Sequence, residues 1–110
     1  IEGDALIDPV GRVAAALRYS GYIIVFVTGR GEEHRHATER WLLSNLGLGS
    51  PLYMRAAGDR RDDDIIKAEL LATLLADGWD PIMAFEDRSR VVKMWRAHGI
   101  LCAQVADGDF

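Results

Sequence analysis

Residues 84–95 read Ala-Phe-Glu-Asp-Arg-Ser-Arg-Val-Val-Lys-Met-Trp, a pattern typical of an apolar strand that ends in two acids and then enters a helix. The adjacent carboxylates are Glu86 and Asp87, and carboxylates at the end of a buried strand cost desolvation energy unless a positive group compensates them. Mg²⁺ is the economical partner, because it suits a site with few protein carboxylates. The pattern therefore predicts a Mg²⁺ site at the carboxyl end of a strand, where open α/β sheets bind their ligands.

Strands and helices alternate along the rest of the chain, which indicates an α/β fold with a doubly wound parallel sheet. The first strand is rich in β-branched residues, and both it and the strand at residues 82–85 are predicted to be buried on both faces. The predicted strands cover residues 22–27, 50–54, 82–85 and 100–105. After an irregular lead, the apolar spacing predicts helices from Asp8-Pro9 to before Gly21 and at residues 34–46, 62–76 and 88–97. The second helix is expected to turn Ala37, Trp41, Leu42 and Leu46 inward and to end at Gly47, and Gly78 and Gly99 close the last two. The tryptophans are expected to pack in or beside the core.

The composition limits the class of protein. The length of 110 residues predicts one domain. A net charge of −4 argues against broad, sequence-independent duplex binding, although it allows a grip on a single chain end. The lone Cys102 cannot form an internal disulfide, which favours a reducing, cytoplasmic compartment. No apolar run approaches the ~20 residues that span a membrane, and no signal peptide is visible, so no membrane partner is expected.

Thr28-Gly29-Arg30 follows the first predicted strand directly. A hydroxyl and a backbone N–H at this position could hold a phosphate oxygen, and Gly29 lets the backbone approach closely. Arg30 could pair bidentately with phosphate. Taken alone, the segment is more often an ordinary strand end with a turn glycine and a solvated arginine.

Asp63 and Lys67 are four residues apart, so a helix places them on one face. A lysine beside the ligand edge of the sheet would neutralise a phosphate or a phosphorylated carboxylate. The ordinary explanation is a solvated helix face, because acids at residues 62–64 complement the helix dipole in the first turn. The Glu86-Asp87 pair is what favours the functional interpretation.

Together these motifs resemble the 3′-phosphatase domain of bacteriophage polynucleotide kinase-phosphatase, which belongs to the haloacid dehalogenase superfamily. The resemblance runs from Asp4 to Phe110 and is most specific in Thr28–Arg30, Gly58–Lys67, Glu86–Arg96 and Gln104–Phe110. It implies a sheet of the haloacid dehalogenase, Rossmann-like type. It also implies that residues 1–110 form the C-terminal portion of one such phosphatase domain.

The resemblance implies substrate-binding roles near the first strand. Thr28 matches the second-motif hydroxyl that binds the transferring phosphoryl group, with the Gly29 backbone beside it. Arg30 matches the arginine that contacts substrate or phosphate. The segment Gly31–Ala37 is shorter than the loop of the phage family, which leaves substrate contacts from that loop open.

It also implies roles for the acids and cations later in the chain. Lys67 matches the third-motif lysine that stabilises the phosphoryl-aspartate, and Asp63 matches an acid that the family requires near it. Asp87 matches a Mg²⁺-binding acid of the fourth motif. Glu86 stands where the phage family has Asp and would share the metal, and Arg88 matches the arginine after that pair.

The superfamily's first motif, Asp-x-Asp-Gly-Thr, is missing from the chain, since Asp4-Ala5-Leu6-Ile7-Asp8 follows no predicted strand. That motif normally ends a central strand between the strands that finish at Thr28 and Phe85. Without it, both strands would carry unpaired buried backbone groups. We therefore expect the chain to be part of a larger protein, with an upstream segment or a second chain supplying the central strand. A homo-oligomer is left open.

The function implied is Mg²⁺-dependent hydrolysis of a 3′-phosphate at a polynucleotide end, through an aspartyl-phosphate whose nucleophile lies upstream. Two alternatives stay open: a phosphatase of the same superfamily that acts on free nucleotides or small phosphate esters, and a non-catalytic module that has lost the first motif. The sequence does not distinguish DNA from RNA, nor does it indicate an attached kinase domain.

Overall fold

The computed structural model describes residues 4–46 and 49–109. In chain order the elements are α1 (Asp4–Tyr19), β1 (Phe26–Gly31), a 3-10 helix (Glu32–His34), α2 (Arg35–Leu46), β2 (Leu52–Arg55), α3 (Asp63–Ala76), β3 (Met83–Glu86), α4 (Ser89–Ala97) and β4 (Leu101–Gln104). The chain divides into two compact units, called here unit 1 (Ile1–Ala57) and unit 2 (Gly58–Phe110). No helix within the described ranges is long and apolar enough to cross a membrane.

Unit 1 is built around the parallel strands β1 and β2. Phe26 lies opposite Leu52 and Thr28 opposite Met54, and the register then shifts before Gly31 meets Arg55. The ladder is extended by one bond, since the backbone N–H of Phe26 donates to the carbonyl of Pro51 at 2.8 Å. Helix α2 connects the two strands, as a parallel pair requires.

Strand β1 lies further along the chain than predicted. The prediction placed the strand at residues 22–27, whereas the observed strand starts at Phe26 and includes Thr28-Gly29-Arg30 as its second half. Residues 22–25 form no ladder with β2, because the first residue of β2, Leu52, lies opposite Phe26. Tyr22 and Ile23 are 51% and 65% exposed, so the predicted burial on both faces is wrong for them.

Helix α1 begins earlier than predicted and contains Pro9. A proline inside a helix removes one backbone hydrogen bond, and Ala5 and Leu6 before it are good helix formers that can extend the helix past this gap. The predicted end is confirmed. Gly21 adopts a φ of +99°, and its N–H bonds to the carbonyl of Arg18 in a turn that closes the helix.

Helix α2 turns a different residue inward than the sequence predicted. Ala37 was expected to face the core but is exposed, whereas Thr38 is buried. The hydroxyl of Thr38 donates to the carbonyl of His34 at 2.9 Å, so this buried polar group is satisfied within the helix. Leu42 is buried as predicted, and Gly47, the predicted stop, lies outside the described residues.

Unit 2 follows its prediction more closely. Strands β3 and β4 are parallel, with Met83 opposite Leu101 and Glu86 opposite Gln104. Helix α4 packs on both strands and against α3, and all four elements begin and end within about two residues of their predicted limits. The buried apolar residues of this unit are Ile66, Leu71, Leu74, Val91, Val92, Met94, Trp95, Ile100 and Cys102.

One side of the expectation for β3 is wrong. The strand was predicted to be buried on both faces, yet Met83 and Phe85 are exposed, as is Ile82 just before them. In the part of the chain that the structure describes, β3 pairs with β4 alone and β1 with β2 alone, each pair forming a separate two-stranded sheet. A strand with one partner has less cover for its apolar side chains than a central strand has.

Candidate functional site

The last residue of β3, Glu86, is a buried carboxylate that accepts four hydrogen bonds. Its Oε1 accepts from Lys67 Nζ at 3.0 Å and from the indole N–H of Trp95 at 3.4 Å. Its Oε2 accepts from the backbone N–H groups of Asp87 and Arg88, each at 3.3 Å. Only 9% of the residue is exposed, so these donors replace the hydration that the charge has lost.

Lys67 extends from α3 into this network and is itself buried. Its ammonium lies 3.0 Å from Glu86 Oε1 and 3.5 Å from Asp63 Oδ2. The predicted sharing of one helix face by Asp63 and Lys67 is confirmed, and the alternative of a solvated lysine is not what the structure shows. Because an ammonium has three N–H donors, the two carboxylates leave one for a further anion.

Arg88 adds a second cation to the network, with Nη1 at 3.7 Å from Asp63 Oδ2. Asp63 thus receives Lys67 from its own helix and Arg88 from the start of α4. Asp87, between Glu86 and Arg88, is half-buried, and its carboxylate has no hydrogen-bond or ion-pair partner within residues 4–46 and 49–109. Two cations therefore accompany three carboxylates, and the excess negative charge falls on Asp87.

This donor set fits one oxygen-seeking cation at Asp87. An unpaired, half-buried carboxylate is favourable for a divalent ion such as Mg²⁺, which takes one or two protein carboxylates and fills its other positions from water and substrate. Glu86 was predicted as a second ligand, but its oxygens are engaged by Lys67, Trp95 and the backbone. No group of three or more His, Cys, Asp or Glu side chains in the described ranges could hold a metal by itself.

In unit 1, the predicted phosphate-binding segment is held by two hydrogen bonds. The backbone N–H of Arg30 donates to Thr28 Oγ1 at 3.1 Å, and Arg55 Nε donates to the carbonyl of Gly29 at 2.7 Å. These bonds fix the backbone around Gly29. Across the described residues the half-buried guanidinium of Arg30 makes no hydrogen bond or ion pair, and the Thr28 hydroxyl keeps its own hydrogen to donate.

Three residues of these networks were not predicted as site residues: Arg55, Trp95 and Gln104. Arg55 ends β2, and carboxyl ends of paired parallel strands lie at one edge, so the strand prediction at 50–54 contained a signal for it. Gln104 lies opposite Glu86 and donates to the carbonyl of Asp87 at 3.0 Å. Trp95 was correctly predicted to pack in the core, and nothing in its spacing indicated that its N–H would reach Glu86.

Cys102 lies on β4 behind the same network. Burial raises the pKa of the Cys102 thiol, the Glu86 carboxylate raises that pKa further, and Arg96 opposes both. Arg96 Nη2 donates to the carbonyl of Cys102 at 2.9 Å. The thiol is therefore a structural group of the core and a poor nucleophile.

The two parallel strand pairs, each joined through a helix, make this an α/β protein, with the open Asp87 carboxylate directly after β3. Two solved structures support this class: "Structure of the Pnkp1/Rnl/Hen1 RNA repair complex" contains a chain that matches 93% of this one at 35% identity with a TM-score of 0.86, and "Structure of Pnkp1/Rnl/Hen1 complex" one that matches the same share at 35% identity with a TM-score of 0.83. The family model of the polynucleotide kinase PNKP phosphatase domain matches residues 1–110, and the chain belongs to that family. The resemblance and the fold class predicted from sequence are thereby confirmed.

The relatives are longer proteins. A candidate bifunctional polynucleotide kinase/RNA ligase of Autographa californica nuclear polyhedrosis virus is 28% identical over 96 residues, which is 86% of this chain and 14% of the viral protein. The chain covers 33% and 35% of the two solved chains. It therefore spans a minor part of each relative it matches.

Proposed function

We propose that the protein is a Mg²⁺-dependent phosphatase that removes the 3′-phosphate from polynucleotide ends, RNA ends in particular, through an aspartyl-phosphate intermediate. The observation that carries this proposal is the buried ion-pair network of Lys67, Glu86 and Asp63 beside the open carboxylate of Asp87. In a member of the PNKP phosphatase family, a lysine held in this way is suited to stabilise a phosphoryl group. RNA as the polymer is supported by the RNA repair complex that contains a similar chain.

Each cation has a distinct task in the proposed reaction. Lys67 directs its remaining N–H at the phosphoryl group while Glu86 and Asp63 hold its other two. By the resemblance to this family, Thr28 is proposed to donate its hydroxyl hydrogen to a phosphate oxygen and Arg30 to pair with phosphate through its guanidinium. These groups stabilise charge on the phosphoryl oxygens during transfer, which is the main source of catalysis in phosphoryl transfer.

Asp87 is the residue of this chain proposed to bind the metal. Mg²⁺ supplies Lewis-acid stabilisation of the charge on the phosphoryl oxygens when it is bound. Asp87 contributes an oxygen ligand and holds the negative charge that attracts the ion. Glu86 acts on Lys67 instead, because four hydrogen bonds already engage its two oxygens.

The nucleophilic aspartate is proposed to come from outside residues 1–110, on a further parallel strand. Two observations support this: the chain covers about a third of the solved relatives, and each strand within residues 4–46 and 49–109 pairs with one other strand only. The nucleophile attacks phosphorus in line, and a second acid protonates the leaving 3′-oxygen and later activates water. By the same reasoning, the protein works as part of a longer chain or repair assembly.

The test is a matched substrate panel with the full-length protein. Equal RNA oligonucleotides carrying a 3′-phosphate or a 5′-phosphate, the DNA form of the 3′-phosphate substrate, and a nucleoside 3′-monophosphate are incubated with Mg²⁺ or with a chelator. We expect phosphate release from the RNA 3′-end in Mg²⁺ and none in chelator. Preference for the mononucleotide would support the small-ester alternative, and no release from any substrate would support the non-catalytic one.

A further inference from the structure

The segment that follows β4 is tied to the loop that carries Asp87. The ending Gln104–Phe110 is one of the most specific parts of the family resemblance, yet its sequence indicates no role. In the structure, Gln104 ends β4, and the next residues run alongside the β3–α4 loop. Gln104 and the residues after it together make four hydrogen bonds with residues 86–89.

Those bonds hold the loop backbone at successive residues. The N–H of Val105 donates to the carbonyl of Glu86 at 3.0 Å, and the carbonyl of Gly108 accepts from the N–H of Ser89 at 2.7 Å. Between them, the side-chain amide of Gln104 donates to the carbonyl of Asp87 and to Ser89 Oγ, both at 3.0 Å. A primary amide has two N–H donors, so this one side chain satisfies two loop acceptors at once.

The loop is also held from the other side, because Glu86 Oε2 accepts from the N–H groups of Asp87 and Arg88. Both backbone polar groups of Asp87 are thus bonded, while its carboxylate has no partner in the described residues. A side chain left open on a backbone fixed at every neighbouring position is oriented in advance for a ligand. Groups that orient a metal ligand in this way commonly change metal affinity when removed.

We propose that Gln104 is a positioning residue for Asp87: its amide, bonded to the Asp87 carbonyl, fixes the backbone from which the Asp87 carboxylate reaches Mg²⁺. The inference rests on the proposed function for the identity of the metal. Gln104 is exposed, and its bonds are to one loop, so its role is local to that loop. Its loss should act on metal affinity and leave the fold intact.

The experiment measures Mg²⁺ binding by titration calorimetry with the full-length protein in the absence of substrate. Gln104→Met keeps the length of the side chain and removes both donors, and Gln104→Asn keeps the amide but shortens its reach. We expect both variants to bind Mg²⁺ about 10-fold more weakly, with turnover restored towards the wild-type value when Mg²⁺ is raised to saturation. The matched control is Lys93→Met, an exposed polar residue of α4 changed to the same amino acid, which should bind Mg²⁺ as the wild type does.

The outcomes separate this inference from the proposed function. Wild-type affinity in both Gln104 variants would overturn the positioning role and leave the proposed function standing. Absence of Mg²⁺ binding and activity in the wild type would overturn both. If Gln104→Met lowers the midpoint of thermal unfolding, the Asn variant decides, because unchanged Mg²⁺ affinity there would mean that Gln104 is structural only.

Discussion

The two strand ends that carry candidate site residues are built in opposite ways. In unit 1, the end of β1 is fixed through its backbone, and the guanidinium of Arg30 has no partner among the described residues. In unit 2, the end of β3 presents a buried carboxylate, Glu86, which holds the ammonium of Lys67 at 3.0 Å. One cation is left open for an anion, whereas the other is held by carboxylates of the protein itself.

The difference separates two uses of positive charge. An open, half-buried arginine contributes little to stability, so its removal should affect mainly substrate binding. A buried lysine between two carboxylates is part of the core, and its removal takes the charged partner from Glu86 and one cation from Asp63. Variants of Arg30 and Lys67 should therefore both lose activity, but only the Lys67 variant should also lose stability.

The largest effect is expected at Asp87, whose carboxylate is open. Asp87→Asn should lower Mg²⁺-dependent turnover by about 1000-fold, because the loss of a metal ligand removes several kcal/mol of transition-state stabilisation. The free energy of unfolding should change by no more than ~0.5 kcal/mol, since no partner is lost. Phosphatase assays and urea unfolding of the same preparation check both statements, and full activity in this variant would refute the metal role of Asp87.

The next largest effect is the difference in stability between the Lys67→Met and Arg30→Met variants. Lys67→Met should destabilise unit 2 by about 3 kcal/mol, because the buried Glu86 loses its charged partner and Asp63 loses one of its cations. Arg30→Met should change stability by no more than ~0.5 kcal/mol. Both should lower turnover, and thermal and urea unfolding measure the difference in stability. Equal stability losses in the two variants would remove the distinction between the strand ends.

The smallest effect concerns Cys102, which reports how closed unit 2 is. Because burial and the nearby Glu86 raise the pKa of the thiol, little thiolate is present at pH 8 in the folded protein. Alkylation by iodoacetamide should be slower in the folded state than in urea by about 10-fold or more. Mass spectrometry of the peptide that contains Cys102 measures both rates. Equal rates in the two states would mean that this face of the unit opens readily.

Sequence reasoning worked best where local signals and packing agree. The limits of α3 and α4 follow from apolar spacing and closing glycines, and tertiary contacts only reinforce them. The first strand was misplaced because the apolar run at residues 22–27 is followed directly by Thr28-Gly29-Arg30. Pairing with β2 decides which of these residues form the strand. Pairing between distant segments is information that no local pattern contains.

The candidate site residues also divide into those that local sequence predicts and those that depend on distant contacts. The shared face of Asp63 and Lys67 could be predicted, because it depends on helix geometry alone. The different fates of Glu86 and Asp87 could not, since adjacent acids look alike in sequence and only the positions of Lys67 and Trp95 engage one of them. For the same reason the contribution of Gln104 depends on strand register, which becomes visible only in three dimensions.

Each strand pair forms entirely within its own unit, and this affects how the chain folds. Phe26 pairs with Leu52, and Met83 pairs with Leu101. A connection containing one α-helix separates the two strands of each pair, so each ladder forms between segments that are near in sequence. Short loops cost less entropy to close and favour rapid folding. During synthesis, the first ladder can therefore form before the residues of the second have left the ribosome, and each unit should open and reclose as a cooperative foldon of its own.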